Sequence, residues 1–238
     1  MHSFFLDKIE KDYFEITNDD LHHIKNVIKL KEEEQIFCIY QDEKYLCKIF
    51  EISEKSCKAR IISKENLIKK NYKVNLILGI IREQKWDFIL QKATELGVDN
   101  IIPVEFKRNV VKIDVKNEQK KITRWYAICE SAAKQSKRVD IPKINSIVRN
   151  LQELEYYKAD INLVCWEEAT NEFLKKEIIK KFKTINIIIG PEGGIDAQEV
   201  KKLNKIGYKS IGLGENIMRA ETASLFVLSC LNYEKSGG

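Results

Sequence analysis

Histidine is nearly absent from this chain: only His2, His22 and His23 carry an imidazole, and none follows residue 23. A Ser–His–Asp triad, a Cys–His pair or a histidine metal site in the long remainder is thereby excluded. Close cysteine pairs are missing as well. Cys38, Cys47, Cys57, Cys129, Cys165 and Cys230 are scattered, without the spacing of a zinc site or a redox C-x-x-C, so buried free thiols are expected. No apolar run approaches the ~20 residues that a membrane-crossing helix needs. The start sets Asp7, Lys8 and Glu10 beside Phe4, Phe5 and Leu6, without the basic-then-apolar order of a secretory signal. A soluble, cytoplasmic protein with no membrane partner is the expectation. There is no internal repeat and no low-complexity tract.

What is present suffices for a packed interior, since 44% of the 238 residues are hydrophobic. The net charge of +5 fits phosphate contact but equally fits any lysine-rich protein, so it decides nothing about a partner. The length admits one large or two modest domains, and the hydrophobic pattern chooses two. From Ile36 to Ile62 it is strand-like. Phe37–Tyr40 and Lys44–Ile52 flank Gln41, Asp42 and Glu43 as a hairpin, and Cys57, Ala59 and Ile61 alternate with charge. Asn18, Asp19 and Asp20 are placed to cap a short helix carrying Leu21, Ile24, Val27 and Ile28 on one side. The polar stretch Ser63–Tyr72 reads as a linker, which sets the domains at 1–67 and 73–238.

Beyond it strands and helices alternate, as in a mostly parallel sheet covered on both faces. Strands are expected at Val74–Ile81, Ile101–Val104, Ile161–Trp166, Ile185–Ile189 and Lys209–Leu213. Helices are expected around Trp86–Gly97, Ile122–Ala133, Glu172–Lys181, Ala197–Ile206 and Ala220–Leu231. Trp86 and Trp125, at helical spacing among apolar neighbours, are assigned to the core.

Chemistry is suggested where strands meet glycine. Ile187-Ile188-Ile189 runs directly into Gly190-Pro191-Glu192-Gly193-Gly194, a turn whose backbone a ligand can reach and whose one large polar side chain is a carboxylate. A tight strand-to-helix connection would explain one such turn. A second, Ile211-Gly212-Leu213-Gly214, follows a neighbouring strand and opens the last helix, and two together point to a shared pocket. Gly212-Leu213-Gly214 begins like a dinucleotide fingerprint, but Ile217 stands where the third glycine belongs and the motif closes the chain. An NAD-dependent oxidoreductase is rejected on that ground.

These two motifs, the second continuing through Glu215-Asn216-Ile217-Met218-Arg219-Ala220-Glu221-Thr222-Ala223, resemble the SPOUT class of methyltransferases. Within it the chain is similar to the RsmE-type enzymes, which methylate N3 of a uridine in small-subunit (16S) ribosomal RNA. Gln91–Val98, Ile101-Ile102-Pro103, Arg124-Trp125, Ala132–Arg138 and His23–Lys29 match the same family, so the likeness spans nearly the whole chain. Ile28 and Lys29 depart from it, since leucine and arginine are usual there, and lysine keeps the charge but not the bidentate fork. The resemblance implies an α/β fold, with a C-terminal SPOUT domain tied in a trefoil knot and a small N-terminal PUA-like β-barrel. It also implies S-adenosylmethionine as cofactor, no metal, ribosomal RNA of the small subunit as partner, and a homodimer to whose interface Phe226 or Leu228 contributes. Non-catalytic RNA binding and methylation of another RNA are the alternatives.

By the same resemblance, Gly190, Gly193, Gly194, Leu213, Gly214 and Ile217 line the adenosylmethionine pocket. Thr222 either joins them or serves as an ordinary helix-start hydroxyl. Arg219 either steadies negative charge on uracil or RNA phosphate, or pairs with Glu221 as a surface ion pair. Glu192 is a base or a positioning carboxylate, or else a solvated turn residue. His23, Lys29, Gln135 and Arg138 are the RNA contacts; the alternative for His23 is capping or packing the small helix, and for the last two a solvated basic helix end.

Overall fold

The computed structural model describes residues 1–67, 70–170 and 172–235, which form two compact units. Met1–Lys69 and Ala133–Asp140 make the first; Lys70–Ala132 and Ile141–Gly238 make the second. Part of the stretch read as a linker, Ile68 and Lys69, lies outside the described residues. Its flanks are ordered differently: Ser63 and Lys64 still belong to a strand, and Lys70 donates to the Gly97 carbonyl at 2.7 Å and to Asp99 at 2.6 Å.

The first unit is a curled five-stranded sheet of β1 (Ser3–Phe5), β2 (Tyr13–Ile16), β3 (Gln35–Tyr40), β4 (Glu43–Ile52) and β5 (Cys57–Lys64), in the order β1-β3-β4-β5-β2. Only β1 and β3 run parallel. Gln41 and Asp42, with φ of 49° and 58°, form the two-residue hairpin turn whose positive φ values match strand twist. The strands β1 and β2 are additions, because three and four residues are too few for a period to register. The concave side is filled by Phe4, Phe14, Ile16, Ile36 and Ile49 with Cys38, Cys47 and Cys57. Burial pushes the Cys57 thiol up to about 11, so it stays protonated at neutral pH.

Helix α1 (Asn18–His22) continues into a π-helical turn, His23–Ile28. This corrects the expected apolar stripe. Leu21 and Ile24 are buried, but Val27 is 64% exposed, because the wider π turn rotates it away from the α-helical face. The expected cap is also corrected: the N-cap is Thr17, whose side chain makes no capping bond, while Asp20 pairs with Lys134 at 2.9 Å.

The second unit is a six-stranded, wholly parallel sheet: β6 (Lys73–Gly79), β7 (Asn100–Val104), β8 (Lys143–Ile144), β9 (Ile161–Cys165), β10 (Thr184–Ile189) and β11 (Lys209–Ile211), ordered β11-β9-β10-β6-β7-β8. Helices α2 (Glu83–Glu95), α3 (Val115–Gln135), α4 (Leu174–Ile178), α5 (Ala197–Lys205) and α6 (Ala220–Lys235) alternate with it. Strand residues divide by parity. Leu76, Leu78, Ile185, Ile187, Ile189 and Leu163 pack beneath α2, α4 and α6, whereas Ile77, Ile188, Val164 and Ile102 face α5 and a 3-10 helix at Leu151–Tyr157. Trp86 and Trp125 are core residues, 1% and 3% exposed with ring centroids 4.9 Å apart. Near the end of the sheet the chain passes close to itself: Trp166 N–H donates to Ile211 O at 3.0 Å and Gly212 N–H to Glu172 O at 2.7 Å. A Cβ on Gly212 would collide with the Ala169 carbonyl.

One asparagine sits within each of four adjacent strands. Asn100 donates to Asn75 at 2.7 Å, Asn75 to Asn186 at 2.7 Å, and Asn186 to Asn162 at 2.8 Å. Asn75 is in register with both Asn100 and Asn186, and Asn186 with Asn162. Asn186 is fully buried and also contacts the Tyr157 carbonyl and the Tyr208 hydroxyl. Removing one member of a buried amide network strands its partners. Asn186→Ala is therefore expected to cost about 2–4 kcal/mol in urea unfolding, against about 0.5 kcal/mol or less for the exposed Asn117→Ala. Equal losses would remove the ladder from the account.

Candidate functional site

The carboxyl ends of β9, β10 and β11 lie side by side, the position where parallel sheets hold ligands. A cavity of about 380 Å3 opens there, within the usual size for small-molecule sites. Its wall is built from Ile189–Ile195 after β10, Gly212–Ala220 after β11, Cys165–Glu167 after β9, and Lys85 from the first turn of α2. Gly190, Glu192, Gly193, Gly194, Leu213, Gly214, Ile217 and Arg219 all line it. Thr222 does not: it is exposed on α6, because the helical turn that points Ala220 and Ala223 inward points Thr222 away. His23, Lys29, Gln135 and Arg138 belong to the first unit. His23, Lys29 and Gln135 are exposed there, whereas the Arg138 side chain is 12% exposed and pairs with Asp140 at 2.5 Å.

The glycine turns keep the wall thin. Gly194, at φ 71°, closes a turn by donating to the Pro191 carbonyl at 2.9 Å, a backbone state that side chains resist. Beneath it the end of β6 presses on the same turn: a Cβ on Gly79 would lie 2.5 Å from Pro191 N. Arg108 stands over Gly193, within 3.5 Å of its carbonyl, and reaches Asp196 at 3.4 Å. Asp196 begins α5 with a capping box, and the bond from Gln198 N–H, helped by Lys107 and Arg108, holds its carboxyl below the usual range.

The charged groups meet at α2. Glu192 Oε1 accepts from the Arg82 N–H at 3.3 Å, at the positive end of the helix. Lys85 Nζ lies 3.7 Å from Glu192 and 3.6 Å from Glu221. Glu221 thus pairs with Lys85 and not with Arg219, whose exposed guanidinium has no ion pair among the described residues. Cys165 lines the cavity, but burial pushes its thiol up to about 12, which leaves no thiolate near neutral pH. Among the described residues no group of three or more His, Cys, Asp or Glu is placed to hold a metal ion. Lys85, Trp166 and Glu167 were missed in the sequence. The end of β9 was a findable signal, being one more strand end beside two glycine turns; Lys85 sits on a helix and gives no such sign.

Residues 69–232 match the family of RNA methyltransferase domains, and residues 16–62 match the RNA methyltransferase PUA domain. The ribosomal RNA small subunit methyltransferase E of Mesomycoplasma hyopneumoniae is 39% identical over 96% of this chain and 98% of its own length. Its counterpart in Bacillus subtilis is 33% identical over 94% and 91%. A methyltransferase of Legionella pneumophila, solved with bound S-adenosylmethionine, superposes at a TM-score of 0.88 with 25% identity, covering 97% of this chain and 96% of that one.

Because Gly79 abuts backbone while Gly207, at φ 97°, has nothing within 4 Å of a built Cβ, their alanine variants separate crowding from strain. Gly79→Ala is expected to lose about 2–3 kcal/mol in urea unfolding, and Gly207→Ala about 1 kcal/mol. A Gly79→Ala protein as stable as Gly207→Ala would show that β6 does not brace the turn.

Proposed function

Since the chain belongs to the RNA methyltransferase family and carries that family's PUA domain, we propose that it methylates small-subunit ribosomal RNA with S-adenosylmethionine, at N3 of a uridine. The observation that carries this reading is the cavity between two glycine turns at adjacent strand ends, with an exposed guanidinium at its edge. The residues fit the cofactor. The cavity is of ligand size, its glycine backbone is open, and two carboxylates beside it keep an unpartnered oxygen. Bound there, S-adenosylmethionine supplies a methyl group already activated by its sulfonium charge.

The chain's own work is then positioning and charge. Gly190, Gly193, Gly194, Leu213, Gly214 and Ile217 hold the donor, largely through backbone. Uracil N3 must lose its proton as it is methylated, and negative charge spreads onto the ring. Arg219, free to turn toward the incoming base, stabilises that charge. Glu192, tied to α2 by Arg82 and Lys85, accepts the proton or orients the base. Thr222 faces away from the cavity.

Residues 1–67 form the RNA-binding domain and 73–238 the catalytic one in this reading. His23, Lys29 and Gln135 meet the RNA, and Arg138, paired to Asp140, shapes the segment that carries Gln135. The close passage of Gly212 against Ala169 and Glu172 supports a knotted path. A ribosomal substrate puts the protein's work in the cytoplasm.

The chain pairs with a second copy through α2 and α6, which pack together and leave Phe88 44% and Phe226 36% exposed. Leu228, 1% exposed, belongs to its own core and not to the partner. Light scattering at micromolar concentration is expected to give twice the chain mass, and Phe226→Glu to shift it toward one; a wild-type monomer with full methyl transfer would contradict this.

Single-turnover methylation of small subunits with radiolabelled donor tests the division of labour. Arg219→Ala is expected to lower turnover about a hundredfold at saturating RNA. Lys29→Ala is expected to weaken RNA binding and reduce its salt dependence while sparing turnover. Unchanged turnover in Arg219→Ala removes that residue from the chemistry. No methyl transfer by the wild type, with RNA still bound, leaves a binding protein.

A further inference from the structure

The cavity is acidic, on a chain whose net charge is +5. Glu167, Glu192 and Glu215 line it against Lys85 and Arg219, and Glu221 adds a carboxylate behind Lys85. A phosphate-binding pocket would have the opposite balance. The excess is concentrated where Lys85, on the first turn of α2, stands between Glu192 of one glycine turn and Glu221 of α6. One ammonium faces two carboxylates. Each carboxylate spends only its Oε1 on that contact, and both Oε2 atoms are closed to water without a hydrogen-bond partner. The Arg82 N–H compensates part of the charge on Glu192; Glu221 has the positive end of α6, in whose first turn it lies, but among the described residues no hydrogen bond to its free oxygen. Arg219 pairs with neither.

Such a group is poorly satisfied until something positive arrives. Resting on the methyltransferase reading, we propose that Lys85, Glu192 and Glu221 set the pocket's preference for a positively charged donor over its neutral product. S-adenosylmethionine and S-adenosylhomocysteine differ by one methyl group and the sulfonium charge, and share their adenosine and amino-acid parts. A field of net negative sign acts on that difference alone. It favours the donor before transfer and weakens the hold on the thioether afterwards, which counters product retention. Lys85 tunes the field from the other side, since its charge opposes the sulfonium while it holds the two carboxylates in place.

Titration calorimetry of the full chain with S-adenosylmethionine, S-adenosylhomocysteine and sinefungin tests this without any activity. Sinefungin carries an ammonium in place of the methylated sulfur, so its affinity should track the donor. Glu221→Gln is expected to lower the donor-to-product affinity ratio about fivefold and Lys85→Met to raise it by about the same factor. Lys85→Arg keeps the charge and should leave the ratio unchanged. A ratio within twofold of wild type in both charge-changing variants overturns the proposal. So does movement of both in one direction, or equal loss of all three ligands in variants that melt like wild type, because the residues would then hold shape and not charge. If the wild-type chain binds none of the three compounds, the methyltransferase reading itself fails, an outcome distinct from an unmoved ratio.

Discussion

Four asparagines fix the register of the four inner strands of the parallel sheet, and that register positions the turns above it. The strands around them are runs of isoleucine, leucine and valine, and in such runs a slip by two residues keeps every apolar side chain on its proper face. Hydrophobic burial alone is therefore nearly indifferent to the slip. The amides are not. Displacing β10 against β6 by two residues would bury the Asn75 and Asn186 side chains without each other, and likewise Asn186 and Asn162, at the cost of several stranded polar groups. The ladder converts a permissive apolar sheet into one with a single alignment.

Aligned strands end together, and that places the chemistry. Cys165, Ile189 and Ile211 close β9, β10 and β11, and the turns leaving them form one cavity. The end of β6 then braces the Gly190–Gly194 turn from below through Gly79, where no side chain has room. The first turn of α2 ties the same turn to α6 by way of Lys85. Positioning and charge thus come from the same few residues. Turns made largely of glycine need this kind of support, because they carry few side chains of their own to stiffen them.

Much of this was legible before the structure. Every long strand and helix of the second unit announces itself by period, and the two glycine turns mark the cavity. Its lining contains every expected pocket residue except Thr222, whose exclusion depends on helix phase at the very start of α6 and so on a boundary that sequence fixes poorly. The short strands β1, β2 and β8 were missed because two to four residues carry no period. The π-helical turn at His23–Ile28 was missed because an α-helical period was assumed, and Val27 was misplaced with it. Residues 133–140 pack with the first unit, a long-range association that no local pattern encodes. The asparagine ladder left a trace, one Asn early in each of β6, β7, β9 and β10, but only pairing shows that they touch.

The account stands on the chain being a donor-dependent enzyme acting on one uridine of small-subunit ribosomal RNA. Mass spectrometry of that RNA from cells with the gene deleted, and from the same cells complemented, tests this most directly. The account predicts that a single N3-methylated uridine disappears on deletion and returns with the wild-type chain. Small-subunit RNA with the same set of methylated nucleotides in both cells would contradict it.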